Sequence, residues 1–302
     1  MPSIGLGTWQ STSEQVKDAV RTALNCGYRL IDTAKLYENE KDIGEVLQEF
    51  FDAGTLKRED VFITTKAFSN EVAPDAIENA LKASLKRLQL DYVDLYLAHV
   101  PTSTNNDMTF RNDVTVEDIW KGFENVYRLG LTRAIGVSNF NNSQIERIIK
   151  IQTIPIHVSQ VELHLYFPQK SHRELCKKHN IVITSYASLG SPARQNAGPI
   201  FDRNADAKNE LDDENVIALA LKYKKTPAQI ILKSFIEMGI AVIPKSVTKV
   251  RILENFQLFD FALSHNELSI LQNHNQPEKR LFWFPMLAGH SEFPFTEEGE
   301  TH

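Results

Sequence analysis

The chain has 302 residues, of which 42% are hydrophobic and 24% are charged, so a large core is possible and wholesale disorder is excluded. Its net charge of −6 argues against a nucleic-acid-binding protein, which normally carries a basic patch. The two cysteines, Cys26 and Cys176, indicate no disulfide framework, and no stretch resembles a signal peptide or a membrane span. We therefore expect a soluble, cytoplasmic protein without nucleic-acid or membrane partners.

Eight short apolar segments with the composition of buried strands follow one another along the chain. They cover residues 4–9, 30–32, 61–66, 93–99, 134–137, 156–162, 181–186 and 240–244. Apolar residues at helical spacing separate most of them, at 16–24, 43–47, 77–88, 119–127, 145–149, 216–223 and 230–238. Two polar stretches without a regular period, 101–115 and 191–213, are predicted to be loops.

This alternation predicts an α/β fold, the (β/α)8 or TIM barrel. We expect a single domain over residues 1–302, with a C-terminal loop and tail from about 276 to 302. The main alternative is an open doubly wound sheet. Gly5-Leu6-Gly7 is too short and too early for the G-x-G-x-x-G turn that such a sheet would carry, so we favour the barrel.

Three helix ends have local signals. Gly27 is a suitable C-terminal stop, and Thr226-Pro227 predicts a helix that begins with a threonine cap and a proline in the first turn. Ser264 with Glu267 has the capping-box pattern and predicts the start of a final amphipathic helix.

Polar residues able to handle protons stand where three successive predicted strands end. Asp32, Lys66 and His99 end these strands, and Tyr37 follows closely after the first. Each residue alone has an ordinary structural interpretation, such as a helix cap or a packing residue. Together, at neighbouring strand ends of a barrel, they are predicted to form the catalytic centre.

The chain resembles the aldo-keto reductase family over almost its whole length, from Gly5-Leu6-Gly7-Thr8-Trp9 to about Ser264. The resemblance depends on several ordered motifs. They are Asp32-Thr33-Ala34 with Tyr37 and Asn39-Glu40, Lys66, His99, Gly136–Phe140, Gln160-Val161-Glu162, and Ile243–Ser246 with Arg251, Glu254 and Asn255. The resemblance implies NADPH-dependent reduction of aldehydes and ketones to alcohols in a monomeric (β/α)8 barrel that binds NADPH or NADP+.

The resemblance also implies roles for the four strand-end residues. Tyr37 matches the general acid, and His99 matches the residue that orients the substrate carbonyl. A free tyrosine has a pKa of about 10, so we expect the charge of Lys66 to lower the pKa of Tyr37, with Asp32 holding Lys66 in place.

The cofactor positions implied by the resemblance lie at later strand ends. Ser138, Asn139 and Gln160 match the residues that hold the nicotinamide amide, and Tyr186 matches the one that stacks on its ring. Lys245, Ser246, Thr248, Arg251 and Asn255 match the surroundings of the 2′-phosphate, and Glu254 the adenine contact. The further cofactor positions are Gly7, Thr8, Trp9, Asp32, Ser188, Leu189, Ser191 and Val247.

The substrate positions are expected to be Trp9, Tyr37, Phe68, His99 and Val100. Aromatic residues of the tail, Phe282-Trp283-Phe284, are candidates for the same apolar pocket. Val100 stands where many relatives carry tryptophan, so we expect a wider or reshaped pocket. Ala187 replaces a serine of the usual motif, which removes one hydroxyl near the pyrophosphate.

Two alternatives remain open. A Schiff-base enzyme would use Lys66 or Lys245 as an amine of low pKa, which pairing between Lys66 and Asp32 would disfavour. A non-catalytic NADPH-binding subunit with a regulatory or redox-sensing role would keep the fold without turnover.

The histidines that invite a zinc interpretation are His157, His164, His172 and His179. Their spacing fits no H-x-x-x-H pair, so no metal site is predicted.

Overall fold

The computed structural model describes residues 1–192, 207–273 and 278–295. Within them, eight parallel strands pair in chain order. The strands are β1 (Leu6–Gly7), β2 (Leu30–Asp32), β3 (Phe62–Ala67), β4 (Leu95–Ala98), β5 (Ile135–Ser138), β6 (Val158–Glu162), β7 (Val182–Tyr186) and β8 (Ala241–Val242). Parallel bridges from Ile4 to Val242 and from Gly7 to Lys245 join the last strand to the first, so the sheet closes into the predicted (β/α)8 barrel.

Helices surround the barrel on the outside. They are α1 (Ser13–Cys26), α2 (Glu40–Asp52), α3 (Ile77–Leu88), α4 (Val116–Arg128), α5 (Asn142–Ile151), α6 (Lys170–Lys178), α7 (Glu214–Tyr223), α8 (Pro227–Glu237), α9 (Lys249–Phe256) and α10 (His265–Gln272). The sequence pattern did not predict α6 or α9. No helix within the described ranges is long and apolar enough to cross a membrane.

The predicted helix ends are confirmed. Gly27 ends α1 with φ at +115°, a left-handed conformation that glycine adopts readily. Thr226 accepts a hydrogen bond from the backbone N–H of Gln229 at the start of α8, and Ser264 does the same for Glu267 at the start of α10. These caps satisfy backbone donors that a helix leaves unpaired.

Alternation along the strands separates the barrel interior from the helix layer. In β4, Tyr96 and Ala98 belong to the large core between strands and helices, whereas Leu95 and Leu97 pack with Val158 in a separate buried cluster. Gly136 permits close packing here, because a Cβ atom at this position would lie 2.2 Å from the carbonyl oxygen of Val158. Toward the carboxyl ends of the strands, polar side chains occupy the inward positions.

The two predicted loops and the tail are described in part. Residues 101–115 are irregular apart from an isolated bridge between Thr104 and Phe110, as predicted. In the loop predicted at 191–213, residues 193–206 lie outside the described residues, and Glu210–Asp212 form a 3-10 turn instead of irregular loop. Tail residues 278–295 lie against the carboxyl ends of the strands, where Ser103 donates its backbone N–H to His290 Nε2.

Candidate active site

The four residues predicted at neighbouring strand ends lie side by side at the carboxyl end of the barrel. Asp32 is the last residue of β2, Lys66 lies in β3, and His99 directly follows β4. Tyr37 lies in a 3-10 turn, Lys35–Tyr37, that follows β2. The structure therefore brings together residues that are up to two strands apart in the sheet.

Lys66 is the centre of the hydrogen-bond network. Its Nζ donates to Asp32 Oδ1 at 2.5 Å, to the Thr33 carbonyl at 2.9 Å and to the Tyr37 hydroxyl at 3.3 Å. Burial lowers the pKa of Lys66, but Asp32 and Tyr37 raise it by more, so the pKa is raised overall. Lys66 is therefore an ammonium group at neutral pH, which does not suit the Schiff-base alternative because that chemistry needs a neutral amine.

The expected pKa of Tyr37 was wrong in direction. The ammonium group of Lys66 does favour the phenolate, but burial outweighs it, so the pKa of Tyr37 lies above its usual value. Lys66 thus reduces the penalty that burial imposes on the phenolate without reversing it. Tyr37 keeps its proton at neutral pH, as a proton donor must.

His99 is a neutral imidazole beside Tyr37. Its ring lies edge-on to those of Tyr37 and Phe68, with 5.8 Å between ring centroids in both pairs. Burial, together with the positive charge of Lys66, holds the pKa of His99 well below its usual value. Its Nδ1 is buried and has no hydrogen-bond partner among the described residues.

Asp32 is fixed from both sides. Its second carboxylate oxygen accepts a hydrogen bond from Gln160 Nε2 at 2.8 Å, and its backbone carbonyl accepts one from Thr8 Oγ1 at 2.9 Å. Asn39 supports this arrangement, because its amide donates to the Thr8 carbonyl at 2.8 Å and accepts from Thr33 Oγ1 at 2.9 Å. The carboxylate is therefore oriented before any ligand binds.

Ser138, Asn139, Gln160 and Tyr186 continue this row of polar residues along β5, β6 and β7. Asn139 Nδ2 donates to the His99 carbonyl at 2.9 Å and to Ser138 Oγ at 3.1 Å, and Asn139 Oδ1 accepts from the Tyr186 hydroxyl at 2.7 Å. Asn139 has φ at +61°, a conformation that asparagine tolerates better than most residues. The predicted nicotinamide residues therefore form one connected group beside His99.

A tight turn follows β7. The predicted cofactor residues in it are Ser188, Leu189 and Ser191. Ser188 Oγ lies 2.7 Å from Ser185 Oγ and donates to the Ser185 carbonyl at 3.1 Å. Ala187 and Gly190 both have positive φ, at +54° and +64°. The chain thus turns sharply here and presents its backbone at the rim of the barrel.

A cationic segment follows β8. Its predicted cofactor residues are Lys245, Ser246, Val247, Thr248, Arg251, Glu254 and Asn255. Lys245 and Arg251 are exposed, and the first turn of α9 carries no acidic residue. Thr248, the residue before α9, makes no capping hydrogen bond with its side chain. A helix start with two nearby cations and no side-chain cap is suited to a phosphate dianion.

Gly7 lies at the end of the neighbouring strand β1, where it pairs with Lys245 of the cationic segment. A Cβ atom there would lie 2.6 Å from the Ile243 carbonyl oxygen, so only glycine fits. Trp9, which follows, lies edge-on to Phe282 of the tail at 5.8 Å between ring centroids. These contacts bring β1, β8 and the tail together.

Apolar residues bound the other side of the site. The members of a buried cluster are Phe68, Val100, Phe284, Leu287 and Phe295, with Trp283 and Phe293 packed against it. Val100 therefore lies against apolar residues of the tail, at the place where we expected a wider or reshaped pocket. Phe284 and Trp283 of the tail thus lie in this wall, where the sequence analysis placed candidates for the apolar pocket, and Phe282 lies against Trp9 and Tyr186.

Two further groups support the site beyond the predicted site residues. The Thr33 carbonyl accepts a hydrogen bond from Lys66, and a backbone acceptor leaves no trace in a sequence. Glu162 accepts hydrogen bonds from the backbone N–H groups of Leu281 and Phe282. Its signal was the acidic residue at an inward strand end, two positions after Gln160.

The histidines do not assemble a metal site. His164 places both ring nitrogens against carboxylates, and His172 contacts Ser159 and Asn142. No group of three or more metal-ligating side chains occurs within residues 1–192, 207–273 and 278–295.

Comparison with known proteins decides the family. The sequence model of the Aldo/keto reductase family matches residues 3–276. The chain belongs to the aldo/keto reductase family. A curated relative, aldo-keto reductase family 1 member A1 of Xenopus tropicalis, is 42% identical and covers 98% of this chain and 95% of its own length.

Solved structures agree with this assignment. The aldose reductase of Schistosoma japonicum superposes with a TM-score of 0.88 at 37% identity, over 99% of this chain and 96% of that one. An aldo-keto reductase of Bombyx mori in complex with NADP superposes with a TM-score of 0.90 at 33% identity, over 97% of this chain and 95% of that one.

This aldo-keto reductase is an NADP(H)-dependent oxidoreductase that reduces carbonyl groups. Membership confirms the predicted fold class, cofactor and reaction class. The alternative of a non-catalytic NADPH-binding subunit is not favoured.

Proposed function

We propose that this aldo-keto reductase reduces aldehydes and ketones at the Asp32–Tyr37–Lys66–His99 site, with Tyr37 as the general acid. The observation that carries the proposal is the contact between the Lys66 ammonium group and the Tyr37 hydroxyl, at 3.3 Å in a partly buried network. When bound, NADPH supplies the hydride.

Tyr37 gives its proton to the carbonyl oxygen as negative charge develops there. The phenolate that remains is stabilised by Lys66, whose own charge is held by Asp32 at 2.5 Å. Because the network is buried, this attraction is stronger than it would be in water. A positioned acid of this kind contributes about 10²–10⁴ in rate.

His99 orients the substrate. A neutral imidazole can donate one N–H to the carbonyl oxygen without giving up a proton, and the low pKa of His99 keeps it in that form. Its ring stands beside Tyr37, so one carbonyl oxygen can reach both groups.

The residues beside this centre fit a nicotinamide. Ser138, Asn139 and Gln160 offer amide and hydroxyl groups to its carboxamide, and Tyr186 offers the face of an aromatic ring. The four already form one hydrogen-bonded group, in which Asn139 bonds to Ser138, Tyr186 and the Gln160 carbonyl, and Gln160 Nε2 donates to Asp32. Gly7, Thr8 and Trp9 border the same space from β1, and Ser188, Leu189 and Ser191 offer the turn after β7 to the pyrophosphate.

The segment after β8 fits the phosphate of NADPH better than the bare ribose of NADH. Lys245 and Arg251 supply fixed charge, and Ser246, Val247 and Thr248 lead into the helix start with its unpaired N–H groups. Partial desolvation lowers the pKa of Lys245, although its side chain is exposed overall, and a bound dianion would favour its charged form again. Glu254 and Asn255, one turn further on, are assigned to the adenosine.

We assign substrate contacts to Trp9, Phe68 and Val100 beside the catalytic Tyr37 and His99. The aromatic tail residues packed on Phe68 and Val100 favour apolar carbonyl compounds, because desolvating a charged substrate there would be costly.

We place the enzyme in the cytoplasm as a monomer. Both cysteines are free thiols, as a reducing compartment requires, and size-exclusion chromatography should return the 34.3 kDa of one chain.

The proposal is tested by following NADPH oxidation with a panel of aldehydes and ketones. Tyr37→Phe should lose at least about 100-fold in kcat while NADPH still binds. Tyr96→Phe is the matched control, because Tyr96 is a buried tyrosine of the core between strands and helices, where its ring stacks on Phe123 away from the site. Equal turnover of Tyr37→Phe and wild type would remove Tyr37 as the acid.

A further inference from the structure

A buried cluster of charged groups lies beyond the end of β6, outside the catalytic centre. His164 is 2% exposed, and its Nε2 lies 3.1 Å from Glu162 Oε1 while its Nδ1 lies 2.5 Å from Glu210 Oε1. Both ring nitrogens therefore carry hydrogen, and the ring is an imidazolium. Burial lowers the pKa of His164, but the two carboxylates raise it by more, to about 9.

The two carboxylates connect three segments that are distant in the sequence. Glu162, at the end of β6, also accepts the backbone N–H groups of Leu281 at 2.6 Å and Phe282 at 3.0 Å. Glu210, in the 3-10 turn before α7, accepts the backbone N–H groups of residues 165 and 166. The ring of His164 is the link between these two sets of contacts.

The charges in the cluster balance. Arg280 approaches Glu162 at 3.8 Å and is itself 4% exposed. Among the described residues, the two carboxylates, the imidazolium and the guanidinium sum to zero. Without the charge of His164, two buried carboxylates would share one cation, and an uncompensated buried charge is costly.

Two of the contacts of the cluster reach proposed cofactor residues. Phe282 lies edge-on to Tyr186 at 5.6 Å and to Trp9 at 5.8 Å between ring centroids. Gly190, in the turn after β7, packs so closely on Glu210 that a Cβ atom would lie 3.2 Å from its side chain. The cluster therefore touches the tail through Glu162 and the turn after β7 through Glu210.

We infer that the Glu162–His164–Glu210 cluster is a positioning device for the cofactor, in which His164 couples the turn at residues 186–190 to Phe282 of the tail. The inference rests on the proposed nicotinamide site beside Tyr186. Binding of NADPH stabilises this arrangement, and the cluster in return raises the affinity for NADPH, because coupling between two sites is reciprocal. None of its members touches the reacting atoms.

The test compares His164→Gln with the double variant His164→Gln/Glu210→Gln. The single variant removes the positive charge, and the second change restores the balance. His164→Gln should raise the Kd of NADPH and the KM of an aldehyde by at least about fivefold, with kcat at saturation changed by less than about twofold. The double variant should recover most of the lost affinity, which a purely steric role for His164 would not allow.

His172→Gln is the matched control. His172 is also fully buried and lies near the same strand, but its partners are Ser159 and Asn142, which are uncharged. Its replacement should lower stability and leave the Kd of NADPH within about twofold of wild type. An unchanged Kd in His164→Gln, or a double variant no better than the single one, would overturn the inference.

A measurement on the wild-type protein covers the case in which His164→Gln does not fold. NADPH should slow hydrogen exchange at the amides of Leu281 and Phe282 by at least about fivefold, because their N–H groups donate to Glu162. Unchanged exchange at both amides would overturn the inference. Absence of NADPH binding or turnover in wild type would instead refute the proposed function, so the two failures are distinguishable.

Discussion

Replacing Asp32 by asparagine removes the only carboxylate within hydrogen-bond distance of the Lys66 ammonium group among the described residues. The Lys66 side chain is 0% exposed, so water does not take the place of the lost partner. Breaking a buried ion pair from one side costs about 3–5 kcal/mol. At about 2 °C per kcal/mol for a chain of this size, the Tm of Asp32→Asn should fall by about 6–10 °C.

The loss should depend on pH. In wild type the pKa of Lys66 is raised, so its stabilising contribution is complete below the unfolded pKa of about 10.4 and is lost as the pH rises through the higher folded value. In Asp32→Asn the carboxylate that raised the pKa of Lys66 is gone, so burial depresses this pKa. The variant therefore gains stability as the pH rises. The difference in Tm should therefore narrow between about pH 7 and pH 10.

Calorimetry of three variants checks this reasoning. Asp32→Asn/Lys66→Met removes both charges and should recover most of the lost stability without recovering turnover. Asp94→Asn is the control, because Asp94 is a buried carboxylate paired with Arg58 at 2.7 Å at the opposite end of the barrel. It should lower Tm and leave turnover unchanged. A Tm of Asp32→Asn equal to wild type, or a difference that grows with pH, would refute the account.

Three further predictions concern the cofactor, the pH profile and the pocket. Arg251→Ala should weaken NADPH binding by about 10–100-fold, the value of one charge-assisted hydrogen bond, and leave NADH binding unchanged in fluorescence titrations. The pKa of His99 is depressed and that of Tyr37 is raised, so kcat/KM for carbonyl reduction should stay constant between about pH 6 and pH 8. An inflection of kcat/KM near about pH 6.5 that disappears in His99→Asn would contradict this. Val100→Trp should cost about 1–3 kcal/mol in thermal unfolding, because it overpacks a buried cluster, and should raise the KM of bulky ketones more than that of small aldehydes.

The strand-end residues were predictable because two simple rules coincide there. Successive side chains of a strand point to opposite faces of the sheet, and every second residue lies on the same face. Asp32 and Lys66 therefore had to lie on the same inner face as the residue two positions before each of them. Parallel strands also end at one rim, so His99 and Tyr37 had to lie near them. The caps at Gly27, Thr226 and Ser264 were predictable for a similar reason, because their signals are local.

Features that depend on burial or on long-range contacts were not predictable. The direction of the Tyr37 pKa reverses because burial outweighs the charge of Lys66, and a sequence shows the charge alone. Helix α9 has few buried residues, Ile252 and Asn255, so its apolar period is too weak to detect. The contact of Glu162 with Leu281 joins residues 119 positions apart, which no local pattern reveals.

Single-turnover oxidation of NADPH by wild type and Tyr37→Phe, with carbonyl substrate in excess, tests the central claim most directly. It isolates the chemical step from product release. The account predicts that Tyr37→Phe binds NADPH with a Kd within about twofold of wild type and reacts at least about 100-fold more slowly. Equal single-turnover rates for the two proteins would contradict the assignment of Tyr37 as the proton donor.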